Sequence, residues 1–318
     1  MADLPKSVAI VGTAESDEIG LVPNKSALQH HAEAAFNALE DAGLTKDDVD
    51  GLFTAGFSTL ATADYMGIQP KFTDSTSIGG SSFIVHIAHA MAAINAGYCE
   101  VALITHGQTG RSGRAPMPPD PNLPTLQYEF PYGFIGQPIN YAMAATRYMY
   151  QYGEDRTRQA LAEIAVSTRK WATLNPKAMM RDEMTFDDYH NSRWIAWPFH
   201  LLDCCLVTDA GAAVVVTSAE RAADLRHDPV YILGFGSHNN LRGWSYADHM
   251  ITTAAQKSAE AAYRMAGVGP KDIDTAQIYD CFTYTVMAEL EDYGFCNKGE
   301  GGPFAASGAL RLGGSLPT

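Results

Sequence analysis

Two stretches of this chain repeat each other, and that repeat limits the folds open to it more than any other feature. "AEAAFNALEDAGLTKDDVDGLF" starts at Ala32 and "AEAAYRMAGVGPKDIDTAQI" starts at Ala259. Anchored at their Ala-Gly pairs, "AGLTKDDVD" (Ala42 to Asp50) lies over "AGVGPKDID" (Ala266 to Asp274), with the second helix about one turn shorter. A short apolar strand precedes each copy, "VAIVG" and "VYILGFG". Two alanine-rich amphipathic helices can resemble each other by chance, but here the strands before and after match as well. The repeat therefore predicts a duplicated α/β fold with two similar halves.

The first copy continues as alternating strand and helix. "SVAIVGTAES" is a strand, Ala27 to Ala42 has apolar residues at helical spacing, and Gly43 is a helix stop. "VDGLFTAG" is a second strand, "SIGGSSFIVHIAHAMAAINAG" a buried helix and "EVALITHG" another strand. That rhythm predicts a mostly parallel sheet. It breaks from about residue 108 to 200, where a proline-rich loop ("RAPMPPDPNLP") leads into helices near Pro138–Tyr152 and Thr157–Asn175. This segment is expected to be an inserted cap. The expected division is an N-terminal half over 1–220 carrying the cap, and a C-terminal half over 228–318. The second half shows only "VYILGFG", "DTAQIYD" and the helix "FTYTVMAELEDYG" before "GGSLPT". It is read as truncated, with its core strands left unpaired.

Composition narrows the function. Of 318 residues, 46% are hydrophobic and 18% charged, enough for a sizeable core. The net charge of -14 disfavours nucleic acid and anionic membranes as partners. No apolar run reaches the roughly 18 residues that span a bilayer. The five cysteines (Cys99, Cys204, Cys205, Cys281, Cys296) form no Cys-x-x-Cys pair, and their number is odd. No structural zinc site is expected, and reduced thiols in a cytoplasm are the simple reading.

The helix opening at "SIGGSS" is unusual. A buried helix start offers free N–H groups and a positive dipole end, which suit a nucleophile or an anionic oxygen. Yet it holds no cysteine, no Gly-x-Ser-x-Gly and no basic neighbour. Ser81 and Ser82 lack an adjacent base, so N-cap duty is their more ordinary role. His86 and His89 have a spacing that can bind metal, but on an alanine-rich buried helix packing and hydrogen bonding are the simpler expectation.

At this point the chain resembles the thiolase superfamily, in its lipid-transfer-protein (sterol-carrier thiolase-like) branch. The resemblance rests on "VAIVGTAES", "AINAGYCEVALITHG", "LLDCCLVTDAGAAVVVTSAE", "IYDCFT" and "LEDYGFCNKGEGGPFAASGALRLGGSLP", in that order and over nearly the whole chain. It implies a five-layered αβαβα fold and a homodimer built across the first half. It also implies a nucleophilic cysteine 17 residues before the glycine of Ile94–Gly97, which is the position of Gly80. The helix start is kept and the thiol is absent, leaving Gly79, Gly80, Ser81 and Ser82 as an oxyanion or substrate-binding group. Cys204 and Cys205 fall in a stretch that resembles a structural part of the family and are expected in the core.

In the same branch "IYDCFT" normally reads His-Asp-x-Phe, and its first residue faces the thioester. That residue here is Tyr279. A tyrosine can donate to an oxyanion or act as acid or base; the alternative is a core tyrosine at a strand end. Asp280 is expected to orient the local backbone, Phe282 to pack and Cys281 to be a small buried residue. Relatives continue past "GGSLP" to supply a His, or in some branches a Tyr, and often a second cysteine; the resemblance leaves the identity of the base open, a tyrosine there being one candidate.

Cysteine-less members of this branch act as aldol lyases. They cleave a 3-hydroxyacyl-CoA to a shorter acyl-CoA and a carbonyl compound without a covalent intermediate, in the breakdown of steroid side chains. That is the leading expectation, with CoA as part of the substrate and no covalently bound cofactor. Two alternatives stay open: an acyltransferase (thiolase) with an unrecognised nucleophile, and a non-catalytic subunit that binds CoA thioesters or lipid. The resemblance also implies a small partner protein with an OB-fold and a zinc ribbon. The aromatic stretches "YAMAATRYMYQYG" and "SRWIAWPF" suggest a pocket for a bulky apolar acyl tail, or simply packing.

Overall fold

A computed structural model describes residues 6–113, 120–134, 136–240, 247 and 249–318. The chain divides into two compact units, Met1–Pro116 with Val207–Phe235, and Met117–Leu206 with Gly236–Thr318.

The first unit is a six-stranded mixed sheet flanked by helices. In chain order it has β1 (Val8–Glu15), α1 (Ala27–Ala42), β2 (Gly51–Phe53), α2 (Thr59–Met66), β3 (Phe72–Asp74), α3 (Ser82–Asn95) and β4 (Val101–Thr109). The sheet order is β3-β2-β4-β7-β1-β8, where β7 is Asp209–Ser218 and β8 is Val230–Tyr231. β2 runs parallel to β3 and β4, as the strand-helix rhythm predicts. β7, however, lies antiparallel between β4 and β1, and β8 is antiparallel to β1. The sheet is therefore not mostly parallel. Parallel neighbours require a crossover of the kind seen in β2-α2-β3, and the long segment between β4 and β7 frees the returning strand from it. The short helix α8 (Ala219–Ala222) follows β7.

Sequence signals set the ends of α1. Ser26 and Gln29 form a reciprocal capping box, and Gly43 takes the left-handed conformation, φ 73°. Its small residues Ala34, Ala35, Ala38 and Ala42 are fully buried and pack, with Leu39, on Leu52, Leu103 and Val215. The approach is close enough that a Cβ on Gly12 of β1 would lie 2.3 Å from the Ala38 carbonyl oxygen. Residues alternate across β4: Thr105 faces α1 through a hydrogen bond to the His31 carbonyl, while His106 packs on Phe83 of α3.

The second unit is helical. It has α4 (Pro124–Tyr128), α5 (Gln137–Tyr152), α6 (Glu154–Leu174), α7 (Phe186–Asn191), the hairpin β5 (Trp194–Ala196) with β6 (Phe199–His200), α9 (Ala255–Ala266), α10 (Thr283–Asp292) and α11 (Gly301–Ala306). α5, α6, α10 and α11 enclose a core of Tyr148, Leu161, Ile164, Phe199, Met287 and Leu290. No described helix is long and apolar enough to cross a membrane.

The internal repeat is visible in three dimensions. α9 ends on left-handed Gly267 as α1 ends on Gly43, and is shorter at 12 residues against 16. Each helix is followed by a 3-10 turn whose closing aspartate accepts from a backbone N–H, Asp48 from Thr45 (2.9 Å) and Asp272 from Gly269 (2.8 Å). Gly236, which precedes α9 as Gly12 precedes α1, is pressed against helix backbone in the same way: a Cβ there would lie 1.8 Å from the Ser258 carbonyl oxygen.

The strands of the second copy differ from expectation. Of "VYILGFG" only Val230–Tyr231 is strand, and it closes the edge of the first unit's sheet. Asp274–Asp280 forms no strand ladder among the described residues; its Ala276 N–H donates to the Pro317 carbonyl at 3.1 Å. A strand exists only where a neighbour supplies the ladder.

Buried histidines make the first unit acid-sensitive. His30, His31 and His86 are fully buried, and both nitrogens of His30, Nε2 of His31 and Nδ1 of His86 and His106 meet no partner among the described residues. Burial lowers all four pKa values, His31 from 6.5 to about 4 with the neighbouring His106 and His30 adding to the effect. A histidine lowered in the folded state leaves the unfolded chain to take the proton first. Stability is then complete above pH 6.5 and falls as the pH drops toward 4, by about 3 kcal/mol for His31 alone. Thermal melts between pH 7.5 and 4.5 should show that fall, and His31→Gln should flatten it. Parallel wild-type and variant curves would remove His31 as its source.

Candidate active site

In the first unit the α3 start carries the residues singled out in the sequence. Gly79 is left-handed (φ 96°). Ser81 stands at the N-cap without a side-chain cap bond. Ser82, fully buried, does the local bonding instead: its hydroxyl accepts from the Ile78 N–H (2.9 Å) and donates to the Gly79 carbonyl (2.6 Å). The turn before α3 is thus stapled from within the helix rather than capped by Ser81. His86 adds a second tie, donating from Nε2 to the Thr76 carbonyl at 2.9 Å, and His89 bonds Asp74 at 2.5 Å. Both histidines are packed and hydrogen-bonded, as expected. Among the described residues, no group of three or more His, Cys, Asp or Glu is placed to hold a metal ion.

These ties leave the backbone N–H groups of Gly80 and Ser81 without acceptors among the described residues. A Cβ on Gly80 would meet nothing within 4 Å. The helix start therefore presents open donors to open space, an arrangement that stabilises a developing oxyanion.

In the second unit Tyr279 and Asp280 end the extended segment before α10. Tyr279 is 67% exposed. Partial burial, with Cys281, Cys205 and Asp280 nearby, raises its pKa, so the phenol keeps its proton at neutral pH. The carboxyl of Asp280, although the residue is exposed, is crowded on one side and raised by that burial against a bond from its own N–H. It lines a cavity of about 510 Å³ with Gln277, Thr168 and Trp171. Cys281 and Phe282 are buried, and Cys281 Sγ lies 3.2 Å from Thr285 Oγ1.

The segment is held from "LLDCC". Cys204 bridges Phe282, and the Cys205 N–H donates to the Cys281 carbonyl at 3.1 Å. Buried Asp203 accepts from the Tyr189 hydroxyl at 2.9 Å through both oxygens, from Thr283 at 2.5 Å and from the His200 N–H at 2.7 Å. Cys205 itself is exposed rather than in the core, because the chain leaves the core after Cys204, and Leu206 and Val207 are exposed too.

A larger cavity, about 750 Å³, is lined by Leu126, Phe134, Asn140, Tyr141, Met250 and Lys257, among others. Tyr141 ties it to the Tyr279 segment: its ring packs on Phe282 (centroids 4.7 Å) and its hydroxyl meets the Cys281 thiol. Glu289 on α10, held up at about 7 chiefly by burial, is felt electrostatically at both Tyr141 and Cys281. Tyr141 opens one of the aromatic stretches picked out in the sequence, which did not single out Asn140 or Glu289. Of the two aromatic stretches, the one on α5 reaches this cavity; Trp194 and Trp197 are about half exposed and pack with Arg158.

All five cysteines are free, and burial raises every thiol pKa: Cys99 and Cys204 to about 11, Cys296 to about 12, and Cys205 and Cys281 upward. A covalent thiol catalyst needs the opposite shift.

Residues 236–318 match a family model described as thiolase C-terminal domain-like. The whole chain is 37% identical to a steroid side-chain-cleaving aldolase of Thermomonospora curvata, covering 85% of that protein. It is 35% identical to the 17-hydroxy-3-oxo-4-pregnene-20-carboxyl-CoA lyase of Mycobacterium tuberculosis, over 99% of this chain and 85% of the other. The solved structure of an Ltp2-ChsH2(DUF35) aldolase superposes with a TM-score of 0.92 at 36% identity, covering 99% of this chain and 84% of that one.

Proposed function

The chain belongs to the thiolase superfamily, in its branch of steroid side-chain-cleaving aldolases, and on that footing we propose that it cleaves the Cα–Cβ bond of a bulky 3-hydroxyacyl-CoA by a non-covalent retro-aldol reaction. The thiols support this reading: the resemblance puts Gly80 at the family's nucleophile position, and the five cysteines, all elsewhere, have pKa values raised rather than lowered. An acyl-enzyme route has no activated sulfur to use.

In the proposed reaction a general base takes the proton of the β-hydroxyl, which becomes the carbonyl of the released ketone or aldehyde. The electrons of the Cα–Cβ bond pass into the thioester as an enolate. The N–H groups of Gly80 and Ser81, on the turn closed by Gly79 and Ser82, receive the enolate oxygen. Tyr279, protonated because its pKa is raised, donates a hydrogen bond and gives its own proton to Cα, and the proton taken up by the base restores the phenol. Asp280 holds the backbone that carries it. CoA enters as part of the substrate, and no covalently held cofactor is required.

The solved Ltp2-ChsH2(DUF35) aldolase combines two components, which supports a partner subunit for this chain. We infer a small OB-fold, zinc-ribbon protein in that role. We also infer a homodimer formed through the first unit, where β3 is an unpaired sheet edge and Ile84 and Tyr98 are exposed. Sedimentation velocity of the chain with and without the partner tests both. Five free thiols fit a reducing cytoplasm.

The deciding experiment incubates the chain, with and without its partner, with 3-hydroxyacyl-CoA and 3-oxoacyl-CoA thioesters, reading products and intact protein mass together. Release of a carbonyl compound from the 3-hydroxy substrate without a protein adduct is expected. A gain of an acyl mass would replace the lyase by a thiolase. Tight binding without turnover in every combination would make the chain a binding subunit.

A further inference from the structure

We propose that Asp203 is a positioning residue for the reaction: through the hydroxyl of Thr283 it fixes the stretch of backbone that sets where Tyr279 stands. The inference rests on the reading of Tyr279 as the proton donor of a CoA-thioester lyase, and adds to it the group that keeps that donor in place.

The Tyr279 side chain has little of its own to hold it. It is 67% exposed, and its hydroxyl bonds to none of the described residues, so its position is inherited from the main chain. That main chain is anchored on both sides. Upstream, the Pro317 carbonyl accepts from the Ala276 N–H at 3.1 Å and from the Thr275 hydroxyl at 2.9 Å. Downstream, three successive residues are tied to three successive residues of "LLDCC". The Cys281 carbonyl accepts from the Cys205 N–H at 3.1 Å, Phe282 bridges Cys204, and the Thr283 hydroxyl donates to Asp203 at 2.5 Å. Tyr279 lies in the gap between the two anchorages, two residues from the nearer one.

Only the last of the three downstream ties involves a charge. The Asp203 carboxylate is buried and already aimed by the Tyr189 hydroxyl and the His200 N–H before it meets Thr283. Hydrogen bonds to an ionised, pre-oriented acceptor are among the strong ones. The tie also falls where α10 needs support. Thr283 is the first residue of α10, and Phe282 at the N-cap supplies no side-chain bond to the helix start. A carboxylate brought from elsewhere in the chain therefore stands beside the positive end of the helix. Without it the helix start is free to shift, and the residues that lead into it shift too.

Thr283→Val removes the donor and keeps the branched shape. Its kcat on a 3-hydroxyacyl-CoA is expected to fall about 10- to 100-fold, the effect of misplacing a catalytic group by about 1 Å. KM should stay near wild type, since the tie acts on Tyr279 rather than on substrate binding. Thr283→Ser restores the hydroxyl and should recover most of the rate. A double-mutant cycle with Tyr279→Phe separates positioning from mere stability. Once the phenol is gone, Thr283→Val should cost less than about twofold, because the effect it has runs through that phenol. A weakened fold would lower the rate alike in both backgrounds. Thermal melts accompany each variant, and Thr283→Ala takes the place of valine if valine does not fold. A folded Thr283→Val with wild-type kcat, or an equal loss in both backgrounds, overturns the proposal while the lyase stands. A Tyr279→Phe variant as active as wild type, or a wild-type chain that does not cleave these thioesters, overturns the reading beneath it, and this inference with it.

Discussion

Tyr279→Phe is expected to lower kcat/KM for the preferred 3-hydroxyacyl-CoA by about 10²–10⁴-fold, the usual worth of a positioned acid or base. The melting temperature should not move. At 67% exposure the side chain contributes little to the core, and phenylalanine keeps the ring. The raised pKa sharpens the expectation: in the proposed reaction the residue is a donor, so the wild-type rate should hold through neutral pH and decline only above the range where an ordinary tyrosine ionises. A loss under threefold would remove Tyr279 from the chemistry. A large loss accompanied by a lowered melting temperature would point to structure instead.

Asp203→Ala should have the largest effect on stability. The substitution leaves the Tyr189 hydroxyl, the Thr283 hydroxyl and the His200 N–H without their acceptor in a buried place. Each such orphan costs about 1–3 kcal/mol, less than additively when the groups share one partner, so a loss of about 3 kcal/mol or more is expected. Asp203→Asn should recover only part, because its amide turns two hydrogens toward groups that are themselves donors. Urea denaturation measures the loss, and hydrogen exchange locates it: protection should vanish first at the start of α10, where Thr283 sits. A variant with wild-type stability would show that those donors find other acceptors.

The two predictions test different parts of one segment, and the sequence revealed those parts unequally. α1 was legible to its ends because Ser26, Gln29 and Gly43 are local signals that act on their own backbone. The direction of β7 was not, because the apolar centre of "DAGAAVVVTS" reads the same whichever way the strand is laid. "DTAQIYD" has strand composition, but a strand also needs a neighbour, which no run of residues encodes by itself. Tyr279 and Gly80 could be picked out because they depart from a known pattern at a fixed position. Asn140 carried no such mark: a polar residue on an amphipathic helix is unremarked until a cavity is seen beside it. Asp203 was hidden for a related reason, since its donors come from Tyr189, His200 and Thr283, and only folding brings them together.

Gly12 and Gly236 carry a historical consequence. In each half of the molecule a glycine is pressed against the backbone of the following helix, with no room for even a methyl group. After a gene doubles, its two halves are free to drift apart in loops, in surface charge and even in whether their strands find partners, and these halves have done so. A site where every mutation pushes a helix away from its support cannot drift with them. Such glycines are expected to keep time more slowly than the rest of the chain, and to be where the shared ancestry of two otherwise dissimilar halves stays readable longest.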